Sequence, residues 1–333
     1  MIAMLIAWSL SRRGLISAAA LGLLVAGVLY VRSMPVDAIP DLSDVQVIVY
    51  TDYPGQAPQV VENQVTYPLV TALLGVPQVK IVRGQSMFST SFVYVIFQEG
   101  TDLYWARSRV LERLNAVQSR LPTGAKTELG PDATGVGWVF QYAVVGDGYS
   151  PAQLRSVQDY QLRYALQGLN GVAEVASLGG YVRQYQVLLD PTRLRAYNVT
   201  ATDIIDAVRS ANQDIGARTV EVAGSDYAIR GLGYFRGVQD IAQVTVGSAS
   251  SGGRSLRVGD VADVTVGSDL RVGFADLNGT GEAVGGVVVM RIGANALDVV
   301  SRVKAKLAEV TPSLPAGVRV VTTYDRTDLI QRS

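Results

Sequence analysis

The chain has no cysteine and no histidine in 333 residues, and its charges cancel: 29 Lys and Arg stand against 29 Asp and Glu. Without cysteine there is no disulfide framework, and the redox compartment is not legible from thiol usage. Thiolate and imidazole zinc ligands are absent, and so are serine–histidine and cysteine–histidine catalytic pairs. A metal ion handled by these residues meets only carboxylates, carbonyls, thioethers or water. Balanced charge leaves no overall field to recruit nucleic acid, which argues against a nucleic-acid partner. Charged residues are also scarce, at 17% against 48% hydrophobic, so the chain can bury a core and disorder is not expected. Its length suffices for about two or three compact domains. No nucleophile–base pair, phosphate loop or metal triad is present, so no catalytic or cofactor-binding residue is assigned and the chain reads as no enzyme.

What the sequence does have begins near its start. Gly14 to Val31 is an uncharged, mostly apolar run, long enough at 1.5 Å per residue to span roughly 27 Å, close to the hydrocarbon core of a bilayer. Its leucines, isoleucine and valines favour insertion by roughly 3–5 kcal/mol. Gly14, Gly22 and Gly27 would let another helix approach closely. Arg12 and Arg13 precede the run and only Arg32 follows it closely, which places the N-terminus in the cytoplasm and the body outside. A cleaved signal peptide fits less well, because the run is long for its apolar region and no A-x-A site follows. Residues 1–10 are apolar but short and read as an interfacial segment. No second run of spanning length appears before Ser333.

The body reads as α+β. Val45–Tyr50 alternates as a strand, and Tyr53-Pro54-Gly55 makes a turn. Val61, Val65, Leu69 and Leu73 recur at helical spacing, with a kink expected at Pro68. Strands follow at Val79–Val82 and Ser91–Phe97. A helix with the stripe Val110, Leu114, Val117, Leu121 comes next, and then a strand near Ala125–Leu129. This β-α-β-β-α-β order predicts a ferredoxin-like unit.

The order restarts at Trp138–Val145, whose even-numbered residues alternate with their neighbours. A helix start follows at Ser150-Pro151-Ala152-Gln153, and then the strand Val172–Ala176. It resumes only at Val284–Arg291, with the helix stripe Val300, Val303, Leu307, Val310 and the strand Val318–Thr322. About a hundred residues separate the halves, so Tyr181–Gly281 reads as an inserted domain. It shows a strand at Tyr185–Leu189, a helix capped by Thr200 with Asp203, a hairpin through Arg218–Ile229, and Gly/Ser-rich turns at Gly247–Gly253.

Several constellations invite a functional reading. Asp37, Asp41, Asp44 and Asp52 crowd the start of the first domain and could collect cations. Turn and capping chemistry beside Pro35, Pro40 and Pro54 accounts for them better, since no ligand spacing is visible. Met34, Met87 and Met290 are too scattered for a thioether site and read as core filling. Arg107, Arg109, Arg113 and Arg120 read as the solvated flank of the helix stripe. The glycines from Gly231 to Gly237 have the wrong spacing for a dinucleotide loop. Asn198 and Asn278 head glycosylation-like triplets but fit a helix cap and a tight turn. The metal ligands are therefore unknown at this stage.

Longer stretches are more specific: Pro35–Val47, Tyr53–Leu69, Gly100–Glu112, Leu129–Trp138, Asp190-Pro191 and Val321–Arg326. Together, and in order, they resemble the heavy-metal efflux branch of the resistance–nodulation–division (RND) transporters, the CusA/CzcA type. The resemblance implies the N-terminal part of a proton-driven inner-membrane metal-cation pump. It implies a cytoplasmic start and first transmembrane helix (1–33), a first porter subdomain (34–130), and a second one split into 131–178 and 282–328. An inserted docking domain (179–281) and the approach to a second transmembrane helix (329–333) complete the plan. It further implies a homotrimer in the lipid bilayer, working with a periplasmic adaptor protein and an outer-membrane channel. The metal cation is substrate, with no cofactor. That family's proton-relay carboxylates and principal metal ligands lie outside these residues, so none is assigned here. Its copper/silver subgroup continues a methionine path into this half, whereas Leu270 and its neighbours offer no thioether, which favours a borderline divalent ion. A singly anchored binding or structural module and a multidrug RND exporter are the alternatives.

Overall fold

The computed structural model describes residues 8, 10–33, 37, 39, 41–222, 225–231, 233–246, 255–269, 271 and 273–332; the side chains of 31–33, 215–222 and 225–231 are not described. The fold is mixed α/β. One long helix, α1 (Arg13–Ser33), is long and apolar enough to cross a membrane, and its candidate span Arg13–Tyr30 buries nothing against the rest of the chain. The chain divides into two compact units, the larger formed by Met1–Tyr149, Ser156–Gly179 and Ala275–Ser333, the smaller by Ser150–Arg155 and Gly180–Phe274.

The larger unit holds two four-stranded antiparallel sheets. In the first, β1 (Gln46–Asp52), β2 (Val79–Met87), β3 (Thr90–Phe97) and β4 (Lys126–Leu129) run in the order β2-β3-β1-β4. Val47 and Val49 of β1 lie opposite Val95 and Val93 of β3, which puts four valines in adjacent rows. Against them pack Val61, Val65, Leu69 and Leu73 from the first helical segment and Ala106, Val110, Leu114 and Val117 from the helix Leu103–Val117, all in one buried cluster. The two helical stripes read from spacing are therefore the core of this body. Asp102 caps the second helix by accepting the backbone N–H of Trp105.

The expected kink at Pro68 takes a different form. The segment runs as an α-helix over Pro58–Val61, a π-helical turn over Glu62–Thr66, and an α-helix again over Tyr67–Leu73. Pro68 has no N–H, and its ring would crowd the carbonyl of Gln64 in an α-helix; the wider turn accommodates it. At its end Thr66, fully enclosed, exchanges hydrogen bonds with Ser86 (2.7 Å) and Ser91 (2.8 Å). Gly84 makes this possible: a Cβ there would stand 2.5 Å from the Thr66 methyl group.

The second sheet uses β5 (Trp138–Gly146), β6 (Val172–Gly179), β11 (Val284–Met290) and β12 (Val318–Asp325) in the order β12-β5-β11-β6. Its first helical segment repeats the device, with α-helix over Pro151–Val157, a π-turn over Gln158–Leu162, and α-helix over Arg163–Gln167. No proline follows this turn; buried Gln158 instead accepts the Tyr142 hydroxyl at 2.9 Å. Gly286 leaves room for that tyrosine ring, since a Cβ there would lie 2.3 Å from it. The second helix, Ala296–Val310, is capped by Asn295 and buries Val299, Val300, Val303 and Leu307. Trp138, read as part of a buried alternation, is 55% exposed: it sits at the strand end, beyond the cover of the helices.

In the smaller unit, β7 (Arg183–Leu189) pairs antiparallel with β10 (Ala262–Ser268), a strand not anticipated from the sequence. The helix Pro191–Tyr197 is capped by Asp190, whose carboxylate accepts two backbone N–H groups, and ends at Asn198 in the left-handed conformation (φ 53°). Asp190-Pro191 is thus a helix start and Asn198 a helix end. Thr200 and Asp203 form the expected capping box for the helix Ala201–Ala211. Asn278 also takes a positive φ of 57°, in a turn closed on Asp276. The hairpin pairs β8 (Ile215–Val222) with β9 (Ser225–Gly231). The turns at Gly247–Gly253 lie outside the described residues, apart from the flanking bridge between Thr245 and Arg257.

Candidate functional site

The aspartates that crowd the start of the first domain are not gathered. Asp41 accepts the Ser43 N–H at 3.0 Å as a local turn. Burial alone would raise its carboxyl, but Ser43 and Thr134 outweigh this and hold it below the usual carboxylate range. Asp44 makes an exposed pair with Lys80 at 3.5 Å, and Asp52 ends β1. Among the described residues no three carboxylates stand close enough to hold a metal ion.

Asp37 also accepts a local N–H, from Ile39 at 3.4 Å, but reaches further. Its Oδ2 lies 2.9 Å from Nη1 of Arg326, the one charged side chain that is almost wholly buried among the described residues, at 3% exposure. Arg326 Nη2 also donates to the carbonyls of Val136 (2.5 Å) and Trp138 (2.8 Å). One guanidinium therefore ties the segment that follows α1, the linker before β5, and the junction between β12 and the last helix, Arg326–Arg332. The fork geometry of arginine suits this, offering parallel donors to one carboxylate and two carbonyls. Beside it, Asp325 pairs with Lys304 and accepts the Thr327 N–H at 2.9 Å. Burial raises its carboxyl, yet these partners prevail and keep it below the ordinary value.

A second polar group stands at the other end of the same linker. Asp132 Oδ2 accepts the Tyr104 hydroxyl at 2.8 Å and forms an ion pair with Arg291 Nε, also at 2.8 Å. That hydrogen bond is the main reason the Tyr104 hydroxyl titrates above its usual range. The Asp132 carbonyl accepts the Ile292 N–H, and Arg107, half-buried rather than fully solvated, donates to the Gly130 carbonyl at 2.8 Å. The other arginines of that helix fit the flank reading: Arg109 pairs with Glu112, and Arg113 and Arg120 are exposed.

Four of the stretches singled out in the sequence meet here: Pro35–Val47 through Asp37, Gly100–Glu112 through Tyr104 and Arg107, Leu129–Trp138 through Asp132, and Val321–Arg326 through Arg326. The sequence alone did not pair them. Asp37 and Arg326 are 289 residues apart, and the only local signal was a lone arginine where a strand gives way to a helix. Among the described residues the methionines form no site. Met87 ends β2 at 47% exposure, contrary to core filling, because it lies past the sheet's covered rows; Met290 ends β11 on the other sheet. Met34 and Leu270 lie outside the described residues. Asp37 and Asp132 are each paired with an arginine, so the arrangement ties segments together and presents no free cluster of carboxylates.

Comparison with known proteins agrees with that architecture. A profile of the AcrB/AcrD/AcrF family matches residues 5–333. The cation efflux system protein CusA of Escherichia coli (strain K12) is 50% identical over 335 residues, covering 100% of this chain and 32% of the relative. The cobalt-zinc-cadmium resistance protein CzcA of Cupriavidus metallidurans is 36% identical over 338 residues, covering 99% of this chain and 32% of its own length. The chain thus spans about a third of the curated relatives it matches. Among solved structures, a crystal structure of a heavy metal efflux pump superposes with a TM-score of 0.87 at 28% identity, over 96% of this chain and 32% of that one.

Proposed function

Because the chain belongs to the AcrB/AcrD/AcrF family, we propose that it is the N-terminal part of a proton-driven inner-membrane pump that exports heavy-metal cations. The observation that carries this reading is the likeness over nearly the whole chain, in sequence and in fold, to cation efflux proteins. In this reading α1 is the first transmembrane helix, with the N-terminus cytoplasmic and the body periplasmic. The two sheets are ferredoxin-like porter subdomains, 34–130 and 131–178 joined with 282–328. Their strand orders support this, since each places its fourth strand beside its first, and its third between first and second. Residues 179–281 are the docking domain, and the pump works as a homotrimer with a periplasmic adaptor and an outer-membrane channel.

The chemistry of transport lies elsewhere in such a pump. These residues supply rigid bodies and the polar ties that link them to the membrane segments. Asp37 stands just beyond α1, and Arg326 grips it from the second sheet body, so displacement of the helix is carried to that body. Identity is lower to the cobalt-zinc-cadmium resistance protein CzcA than to the cation efflux system protein CusA, so the comparisons add no support to the divalent preference drawn from the sparse methionines.

The partial length gives a direct test. Membranes from the native cell, blotted with an antibody against residues 45–161, are expected to show a band about three times the length of this chain, as in relatives of which it covers 32%. A band of this chain's own size would remove the transport reading and leave a singly anchored binding module.

A further inference from the structure

We propose that Tyr104, Asp132 and Arg291 form a latch that holds the two sheet bodies of the larger unit in one relative position and opens without unfolding either. All extensive pairing of strands and helices stays inside one body or the other. The buried cluster of the first body draws only on its own strands, helices and loops. At the junction side chains of the two bodies meet in polar contacts. Tyr104 belongs to the helix Leu103–Val117 of the first body, Arg291 follows β11 of the second, and both meet the same oxygen of Asp132 on the linker between them.

The linker itself is pinned at both ends. Arg107 holds the Gly130 carbonyl to the first body, and the Ile292 N–H holds the Asp132 carbonyl to the second. The Asp132 side chain is 15% exposed, whereas Tyr104 is 53% exposed and the Arg291 side chain 43%. Tyr104 is therefore open to water, which can replace its contact at small cost, whereas the Arg291 Nε that meets Asp132 is itself enclosed. Packed bodies joined by a solvated polar contact move by switching that contact, not by deforming their cores. The latch stands whether or not the chain is part of a pump, because its readout is a distance and not transport.

Cysteine is absent from the sequence, so two introduced thiols can be spin-labelled without background. Asn115→Cys on the helix Leu103–Val117 and Ser301→Cys on the helix Ala296–Val310 are exposed positions, one on each body. Distances between them are measured by electron spin resonance on the full chain in detergent micelles. With the latch intact a single narrow distribution is expected. Asp132→Ala and Arg291→Met should each add a second population of roughly a tenth of the molecules or more, and Tyr104→Phe a smaller one. If Asp132→Ala fails to fold, Arg291→Met decides. Distributions that match the parent in Arg291→Met and in any folded Asp132→Ala would overturn the latch.

Discussion

Asp37→Ala is expected to lower the stability of the larger unit by about 3 kcal/mol, because it leaves a buried guanidinium without its counter-charge. Arg326 is 3% exposed, whereas the Asp37 carboxylate is 25% exposed. Breaking a wholly buried pair costs about 3–5 kcal/mol, and the partial exposure of Asp37 puts this one at the low end. The carbonyls of Val136 and Trp138 remain as acceptors but cannot neutralise the charge. Adding Arg326→Met to Asp37→Ala should recover part of the loss, since the buried charge is then gone and the apolar stem is kept. Urea unfolding followed by tryptophan fluorescence measures both variants. A cost below about 0.5 kcal/mol for Asp37→Ala would class the pair with ordinary surface salt bridges.

Leu114→Ala should cost about 2–5 kcal/mol, the range for removing a leucine from a packed core. Leu114 is 8% exposed and belongs to the cluster that joins both helical stripes to Val47, Val49, Val93 and Val95. Leu111, on the same helix, is 48% exposed. Leu111→Ala should stay within about 0.5 kcal/mol, as surface changes usually do. The pair is an internal control for which face of the helix meets the sheet. Equal losses at the two positions would show that the stripe does not face the core.

Periodicity made the cores legible. Residues four apart on a helix or two apart on a strand turned out to share its buried face, because burial acts on each element through its own repeat. Caps were legible for a similar reason: Thr200 with Asp203 and Ser150 with Gln153 are local contacts three residues apart. What escaped was decided by neighbours distant in sequence. The π-turn at Glu62–Thr66 depends on Thr66 reaching serines on β2 and β3, and its counterpart at Gln158–Leu162 on the Tyr142 hydroxyl. Strand β10 is paired through its partner β7, across the span between Leu189 and Ala262. Asp37 was read with its neighbouring aspartates as turn chemistry, which holds for Asp41 and, through the Ile39 N–H, for Asp37 as well, but its second oxygen meets Arg326, which that reading missed. The stretches that carried the family resemblance contained the site without revealing it, since resemblance gives order along the chain and not contact in space.

Metal export from cells producing the complete protein decides whether it is a proton-driven metal-cation pump. Cells loaded in turn with silver, copper, zinc, cobalt, nickel or cadmium are followed for metal retained, with and without a protonophore. At least one of these ions is expected to leave faster than from cells lacking the gene, and the difference to vanish when the proton gradient is collapsed. No difference for any of the six ions, in cells where the protein is present in the membrane, would contradict it.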